Sequence, residues 1–366
     1  LNYYLYPTIE SYTMKPAYIL VVIFILLSGC KKEEAEPTRT FRMGFQNSAP
    51  RFDNLDLFVQ SLALWTQRAD VAMITTEVPW EQLLTGTPVN DFVVSNYKEL
   101  AAYYRSKNFK LWVYIDPQNG LDRTSDAVYL QQVDKSIADA DMQLLYQKFT
   151  IAMDSILNPE HLGLALETNL IRDAAPASIY NGVKTAVNAT AQAVRARNAT
   201  VPLSVSVQVD HAWGKLAGGG FIGIAQDFVD FPFIEELGLS SYPYFGFDNP
   251  VDIPINYYTR LTEGKNLPVF VTEGGWASAS VPGSFTSSPE LQKAYIEHHA
   301  HLLNEAKAEA VFQLVFTDID ITAIPDEVPD NIGYFISLGM VDINFNVKPA
   351  LNAWDKIFGY RYTGND

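Results

Sequence analysis

Between residues 41 and 360 the chain alternates short, almost continuously apolar runs with longer stretches in which apolar residues recur at helical spacing. The runs fall at residues 42–46, 71–75, 110–115, 162–166, 203–207, 237–241, 269–272 and 311–316, eight in all. A strand covered on both faces reads this way, whereas a half-exposed strand alternates apolar with polar. Helical patterns occupy residues 141–157, 178–197, 255–262 and 290–308, and a last one at 349–358 follows the eighth run. The alternation predicts repeated βα units around a parallel sheet, an α/β fold.

Two architectures satisfy that pattern. A doubly wound open sheet usually carries a glycine-rich phosphate turn after its first strand. Here the first run opens into Gly44-Phe-Gln-Asn-Ser-Ala-Pro50, and Gly218-Gly-Gly220 matches neither nucleotide fingerprint. Eight runs over this length predict instead a single-domain (β/α)8 TIM barrel spanning residues 41–360. The 366 residues are 48% hydrophobic and 19% charged, enough for a substantial core. The formal net charge of −16 argues against nucleic acid and other polyanions, which require basic patches. Neutral substrates remain open, and a monomer is the expected state.

The N-terminal region reads differently. Residues 1–13 precede Met14 and look like an over-extended start, while residues 14–29 have the form of a secretory leader. A cation at Lys15 is followed by an apolar stretch too short for a comfortable membrane span. Leu27-Ser-Gly-Cys30 resembles the lipobox of bacterial lipoproteins, which implies acylation of Cys30. Cys30 is the sole cysteine, so neither an internal disulfide nor a thiolate metal cluster can form. Residues 30–40 are then expected to tether a lipid-anchored domain in the cell envelope, on its periplasmic or cell-surface face.

In a barrel the carboxyl ends of the strands and the loops after them build the site. Glu167 and Glu273 end the fourth and seventh runs, where a carboxylate is costly unless paired or at work. Gln46, Asn47, Glu77, Trp80, Asp116, Gln118, Asn169, Gln208, Asp210, His211, Tyr242, Tyr244, Trp276, Thr317, Asp318 and Asp320 complete a polar and aromatic crown. Carboxylates and amides suit sugar hydroxyls, and aromatic faces suit the C–H faces of pyranose rings, so Trp80, Trp213, Tyr244 and Trp276 are candidate platforms. Opposed carboxylates ~5 Å apart are the requirement for retaining glycoside hydrolysis. Burial beside an ionised partner would keep the acid of the pair protonated.

Val271-Thr-Glu-Gly-Gly-Trp276, Leu239-Ser-Ser-Tyr-Pro-Tyr244 and the Gly339–Trp354 region resemble clan A glycoside hydrolases, with arabinogalactan endo-β-1,4-galactanases the most similar family. The resemblance implies Glu273 as nucleophile, Glu167 as acid/base, and Tyr242 as a hydrogen-bond donor to the nucleophile. It further implies an oligo- or polysaccharide substrate with β linkages. A displacement that needs only carboxylates requires no metal or organic cofactor, and the strand-tip residues Asn169, Gln208 and Asp210 are expected among the substrate contacts. The sequence departs from the pattern at Leu166, where the clan usually has Asn, and in Gln313-Leu-Val-Phe-Thr-Asp318, where it usually has Trp. No arginine stands at an early strand tip. A surface lipoprotein that binds glycan without turning it over is the alternative.

Two further clusters read more plainly. His298 and His301 share a face of a helical stretch beside His299, and Asp318, Asp320, Asp326 and Glu327 crowd the last loop. A solvated helix surface and an acidic loop are expected, because neither has a metal-loop pattern.

Overall fold

The computed structural model of the chain describes residues 36–51, 53–324, 328 and 330–364. The over-extended start (1–13), the leader (14–29) and the acylation site Cys30 lie outside the described residues. The chain divides into two units, Leu1–Pro37 and Thr38–Asp366, and the fold resides in the second. Among the described residues no helix is long and apolar enough to cross a membrane.

Eight parallel strands close into a barrel: β1 (Arg42–Phe45), β2 (Val71–Glu77), β3 (Lys110–Asp116), β4 (His161–Gly163), β5 (Leu203–Gln208), β6 (Glu236–Ser241), β7 (Val269–Gly274) and β8 (Ala310–Gln313). Each pairs with the next in sequence, and β8 returns to β1 with Ala310 opposite Arg42. The outer helices include α1 (Leu55–Trp65), α2 (Glu99–Ser106), α3 (Ala140–Leu157), α4 (Ala177–Arg195), α5 (Pro289–Ala306) and α6 (Pro349–Phe358). This is a single-domain (β/α)8 TIM barrel.

Local chemistry sets the helix ends. Asn54 accepts from the Leu57 amide to cap α1, and Ser288 accepts from the Leu291 amide with Pro289 in the first turn of α5. α3 and α5 stop at Asn158 and Lys307, both in the left-handed region.

Val71, Met73, Trp112, Tyr114, Phe270 and Phe312 fill the barrel interior and are buried. At ~1.5–3 kcal/mol for each large apolar side chain removed from water, this plug makes the barrel a packed core rather than a pore. Tyr114 crosses it to donate to Ser204 Oγ at 2.9 Å. A Cβ on Gly163 would lie 2.1 Å from the Tyr114 ring, so β4 needs glycine there. Any cavity must therefore lie above the plug, at the strand tips.

Two expectations shift. Residues 38–40 belong to the folded unit rather than the tether, because Thr38–Arg39 pairs in parallel with Arg361–Tyr362. Arg39 is buried, bonded to Asp70 at 2.6 Å, with its guanidinium beside the Phe358 and Tyr362 rings. The helix expected at 255–262 is reduced to a 3-10 turn, Thr259–Thr262. The Tyr257 carbonyl accepts from the Trp213 indole at 2.9 Å, and the Tyr257 and Tyr258 side chains are drawn inward to Asp210 and His299. Tertiary bonds there displace the helical ladder.

Candidate active site

Glu273 stands near the end of β7, where the register with β6 shifts between Val271 and Glu273 so that Glu273 lies opposite Ser240. Such an irregularity re-aims a side chain, here toward the barrel mouth. Glu167 follows β4 at φ 51° and ψ 43°, a left-handed conformation that costs a non-glycine residue free energy. Its amide donates to Ser206 Oγ at 2.9 Å, and a short helix, Thr168–Ala174, starts immediately after it. Backbone strain and a bulge thus aim the two carboxylates.

Ser240 joins them. Its Oγ lies 2.6 Å from Glu167 Oε1 and 3.0 Å from Glu273 Oε1. The nearest oxygens of the pair are separated by no more than these two contacts laid end to end. That suits the ~5–5.5 Å separation of retaining enzymes and falls short of the ~6.5 Å at which the inverting range begins. A hydroxyl carries one hydrogen, so Ser240 can donate to only one carboxylate at a time. The other keeps a proton or meets a lone pair.

Arg123 supplies the positive charge. The hairpin Gln118–Asn119 with Asp122–Asp126 carries it over the mouth. Its Nε donates to Glu167 Oε2 at 2.9 Å, and a terminal nitrogen donates to Asp116 Oδ2 at 2.6 Å. Burial works against the guanidinium's charge, but Asp116 and Glu167 outweigh it and hold its pKa above the ordinary value. Burial raises Asp116, and burial together with Asp116 raises Glu77, whose Oε1 accepts from the Gly120 amide at 2.8 Å. Burial and the Glu167 charge push Glu273 up to about 7 against the pull of Arg123. The upward shift thus falls on Glu273, while the arginine stands against Glu167.

The pair opens into a cavity of about 650 Å³. Gln46, Asn47, Glu77, Asp116, Arg123, Gln208 and Tyr242 border it, as sequence position suggested for most of them. Much of the remaining wall is apolar, with Leu121, Leu166, Leu170, Leu216, Phe245, Leu314, Val315 and Phe335 among its residues, alongside polar groups such as Thr76, Thr124 and Asn331. Leu166 occupies the position where the resemblance has Asn, and Leu314 and Val315 belong to the Gln313–Asp318 run in which it usually has Trp.

Other expected contacts are elsewhere. Asn169 is buried and exchanges two hydrogen bonds with the Gln208 backbone, at 2.9 and 2.7 Å, so it fastens the β4 and β5 tips together. Asp210 is buried beneath the mouth, accepting from the Tyr242 amide, Tyr257 Oη and Gln208 Nε2. Neither borders the cavity. Trp80 packs in the outer core, Tyr244 donates to the Tyr334 carbonyl, and the Trp276 indole donates to Ser287 while its ring lies against Tyr295. Each has no more than 3% of its surface exposed, too little for a sugar platform. No hydrogen bond joins Tyr242 to Glu273 among the described residues; Ser240 has taken that position. Ser240 and Arg123 are the functional residues that sequence reasoning missed. Asn119-Gly120 is a hairpin signal that would have drawn attention to Arg123, whereas nothing in the sequence distinguishes Ser240.

The His298 and His299 Nε2 atoms pair with the Ile253 carbonyl and Tyr258 Oη, and Asp318 and Asp320 pair with Lys348 and Arg51. Those groups are committed to protein partners. At the closed end of the barrel, His161, Glu236 and Glu309 bring one ligand atom each within 4.8 Å of the others, a set suited to a divalent ion. The trio does not border the cavity.

No protein-family model and no curated protein sequence matches the chain. Solved structures do match its fold. An exo-beta-1,4-mannosidase, Op5Man5, from Opitutaceae bacterium strain TAV5 superposes with a TM-score of 0.65 at 15% identity over 87% of this chain, which spans only 59% of that protein. A GH5_18 structure from Bifidobacterium longum subsp. infantis gives 0.60 at 13% identity, covering 88% of this chain and 80% of that one. The Ignisphaera aggregans GH53 catalytic domain gives 0.55 at 14% identity, covering 87% and 91%. The likeness extends across several glycosidase families and singles out none of them, the galactanases included.

Proposed function

We propose that this protein is a retaining glycoside hydrolase acting on β-linked glycans. The observation that carries the reading is the pair Glu167 and Glu273, brought within reach of one serine hydroxyl at the mouth of a barrel. A Glu273 carboxylate oxygen attacks the anomeric carbon and bonds to it as the glycosidic C–O bond breaks. The departing oxygen takes a proton from Glu167. Glu167 then removes a proton from water, which displaces Glu273 and restores the original configuration. Burial and the Glu167 charge raise the pKa of Glu273 to about 7, so the carboxylate that attack needs is favoured as the pH rises past that value. Ser240, in contact with both glutamates, links them by hydrogen bonds.

A second reading, glycan capture without turnover, draws on the ion pair between Arg123 and Glu167, because a proton donor tied to a buried guanidinium is poorly placed to donate. One experiment separates them. Glu167→Ala should cripple glycosides with poor leaving groups far more than activated aryl glycosides, with azide restoring part of the turnover and giving a product of retained configuration. Equal loss on both substrates without rescue would remove Glu167 from the acid/base role. Wild-type protein that binds glycans and hydrolyses none would establish capture.

Acylation at Cys30 would place this chemistry at a membrane surface, where the four-residue motif ending at Cys30 supports anchoring. Cys30→Ser should move the protein from the membrane fraction to the soluble one without altering its thermal unfolding. Continued sedimentation with membranes would refute the anchor.

A further inference from the structure

The cavity's chemistry is divided. Carboxylates and the guanidinium line one part of it, while aliphatic side chains make up much of the rest. Leu170 comes from the short helix after Glu167, Leu216 from the loop after β5, and Leu314 and Val315 from the tip of β8. Leu166 floors the cavity and packs with Trp112, Phe270 and Phe312 of the interior plug. Leu216 is 42% exposed, so this apolar surface reaches the rim. Of the aromatics expected to stack on sugar rings, Trp80, Tyr244 and Trp276 are instead buried in packing, and the half-buried Trp213 does not border the cavity. A volume of about 650 Å³ exceeds one pyranose ring and lies in the ~300–1,000 Å³ range of pockets for drug-sized ligands. An oligosaccharide extending along such walls would leave its hydroxyls without partners, at a cost for each that loses its water. A hydrocarbon chain would not.

We propose that the substrate is a β-glycoside whose aglycone is an extended aliphatic chain, with the sugar over Glu167 and Glu273 and the chain along Leu170, Leu216, Leu314 and Val315. The inference rests on the hydrolase reading only for the placement of the sugar. The apolar subsite is a statement about binding, and it is tested separately.

The probes are two homologous series, n-alkyl β-D-glucosides and n-alkyl β-D-mannosides from butyl to octyl, titrated calorimetrically below their micelle-forming concentrations. Burying a methylene is worth ~0.8 kcal/mol, so Kd should fall about fourfold for each carbon added until the chain leaves the cleft. Leu216→Asp and Leu170→Asn, neither of them placed in the catalytic machinery, should flatten the dependence while unfolding at temperatures close to wild type. If either variant unfolds early, the chain-length series on wild-type protein decides alone. Affinity independent of chain length in both series would overturn the proposal, as would an unchanged slope in both folded variants. Turnover is read on the same compounds. Chain-dependent binding without hydrolysis supports the apolar subsite and removes the hydrolase reading. Hydrolysis indifferent to the chain does the opposite.

Discussion

Both ends of the barrel bury carboxylates, and the two ends hold them in different ways. At the mouth, Glu77, Asp116, Glu167 and Glu273 stand around one guanidinium and face a cavity of about 650 Å³. At the closed end, Glu236 and Glu309 meet His161, whose ring lies on Trp112 at 3.8 Å, and none of the three reaches that cavity. Burial raises the pKa of Glu309 just as it raises those of Glu77 and Asp116. Perturbed titration therefore does not by itself separate a working site from a packed one. Access does, together with a neighbour that binds two carboxylates at once. Ser240 has no counterpart at the closed end, where His161 Nδ1 contacts Glu236 at 2.6 Å and the second Glu236 oxygen has no partner among the described residues.

The largest expected effect is at the mouth. Arg123→Met should destabilise the protein by about 3–5 kcal/mol, the usual consequence of stripping one partner from a buried ion pair. Asp116 and Glu167 would remain buried without their cation. Denaturant titration measures the loss, and a change under about 1 kcal/mol would mean that the arginine is not a structural counter-ion.

At the closed end the expected effect is smaller and confined to stability. Glu236→Gln keeps an acceptor for His161 and removes one buried charge, so stability should change by about 1 kcal/mol or less. Turnover on any substrate that the wild type cleaves should be unchanged. A loss of turnover would erase the distinction between the two ends.

A third expected effect is one of pH. Glu273 is raised from 4.5 to about 7, so the folded chain holds this proton more tightly than the unfolded chain does. The stabilisation is fully present below pH 4.5 and is lost as the pH climbs through about 7. Unfolding free energy measured across that window should decline in wild type, and the contribution should be missing in Glu273→Gln, which has no proton to lose. Identical slopes in the two proteins would place the shared proton elsewhere.

Much of this molecule was legible in the chain. All eight barrel strands overlap the apolar runs, because a strand buried on both faces is apolar at most of its positions. The helix at Pro349–Phe358 has the bounds its periodicity predicts. Glu167 and Glu273 stood out because an acidic residue closing an apolar run is unusual, and both reach the cavity. Residues named by loop position alone fared differently. Trp80, Tyr244 and Trp276 are tip-loop aromatics that turned inward, and Asn169 and Asp210 bind backbone rather than facing the cavity. A loop's sequence does not encode which way a side chain faces, because that depends on what the rest of the fold leaves open.

By itself, then, the sequence determined the strand count, the barrel and the pair of tip carboxylates, since each follows from a local rule about which residues tolerate burial. Only the tertiary structure decided what surrounds the pair. The bulge before Glu273 turned that residue toward Ser240, a hairpin far from either glutamate in the chain carried Arg123 to Glu167, and the walls of the cleft came from the tips of many separate strands. Electrostatic partners and cavity walls are set by distance in space, and neighbours in space here come from segments far apart in the chain.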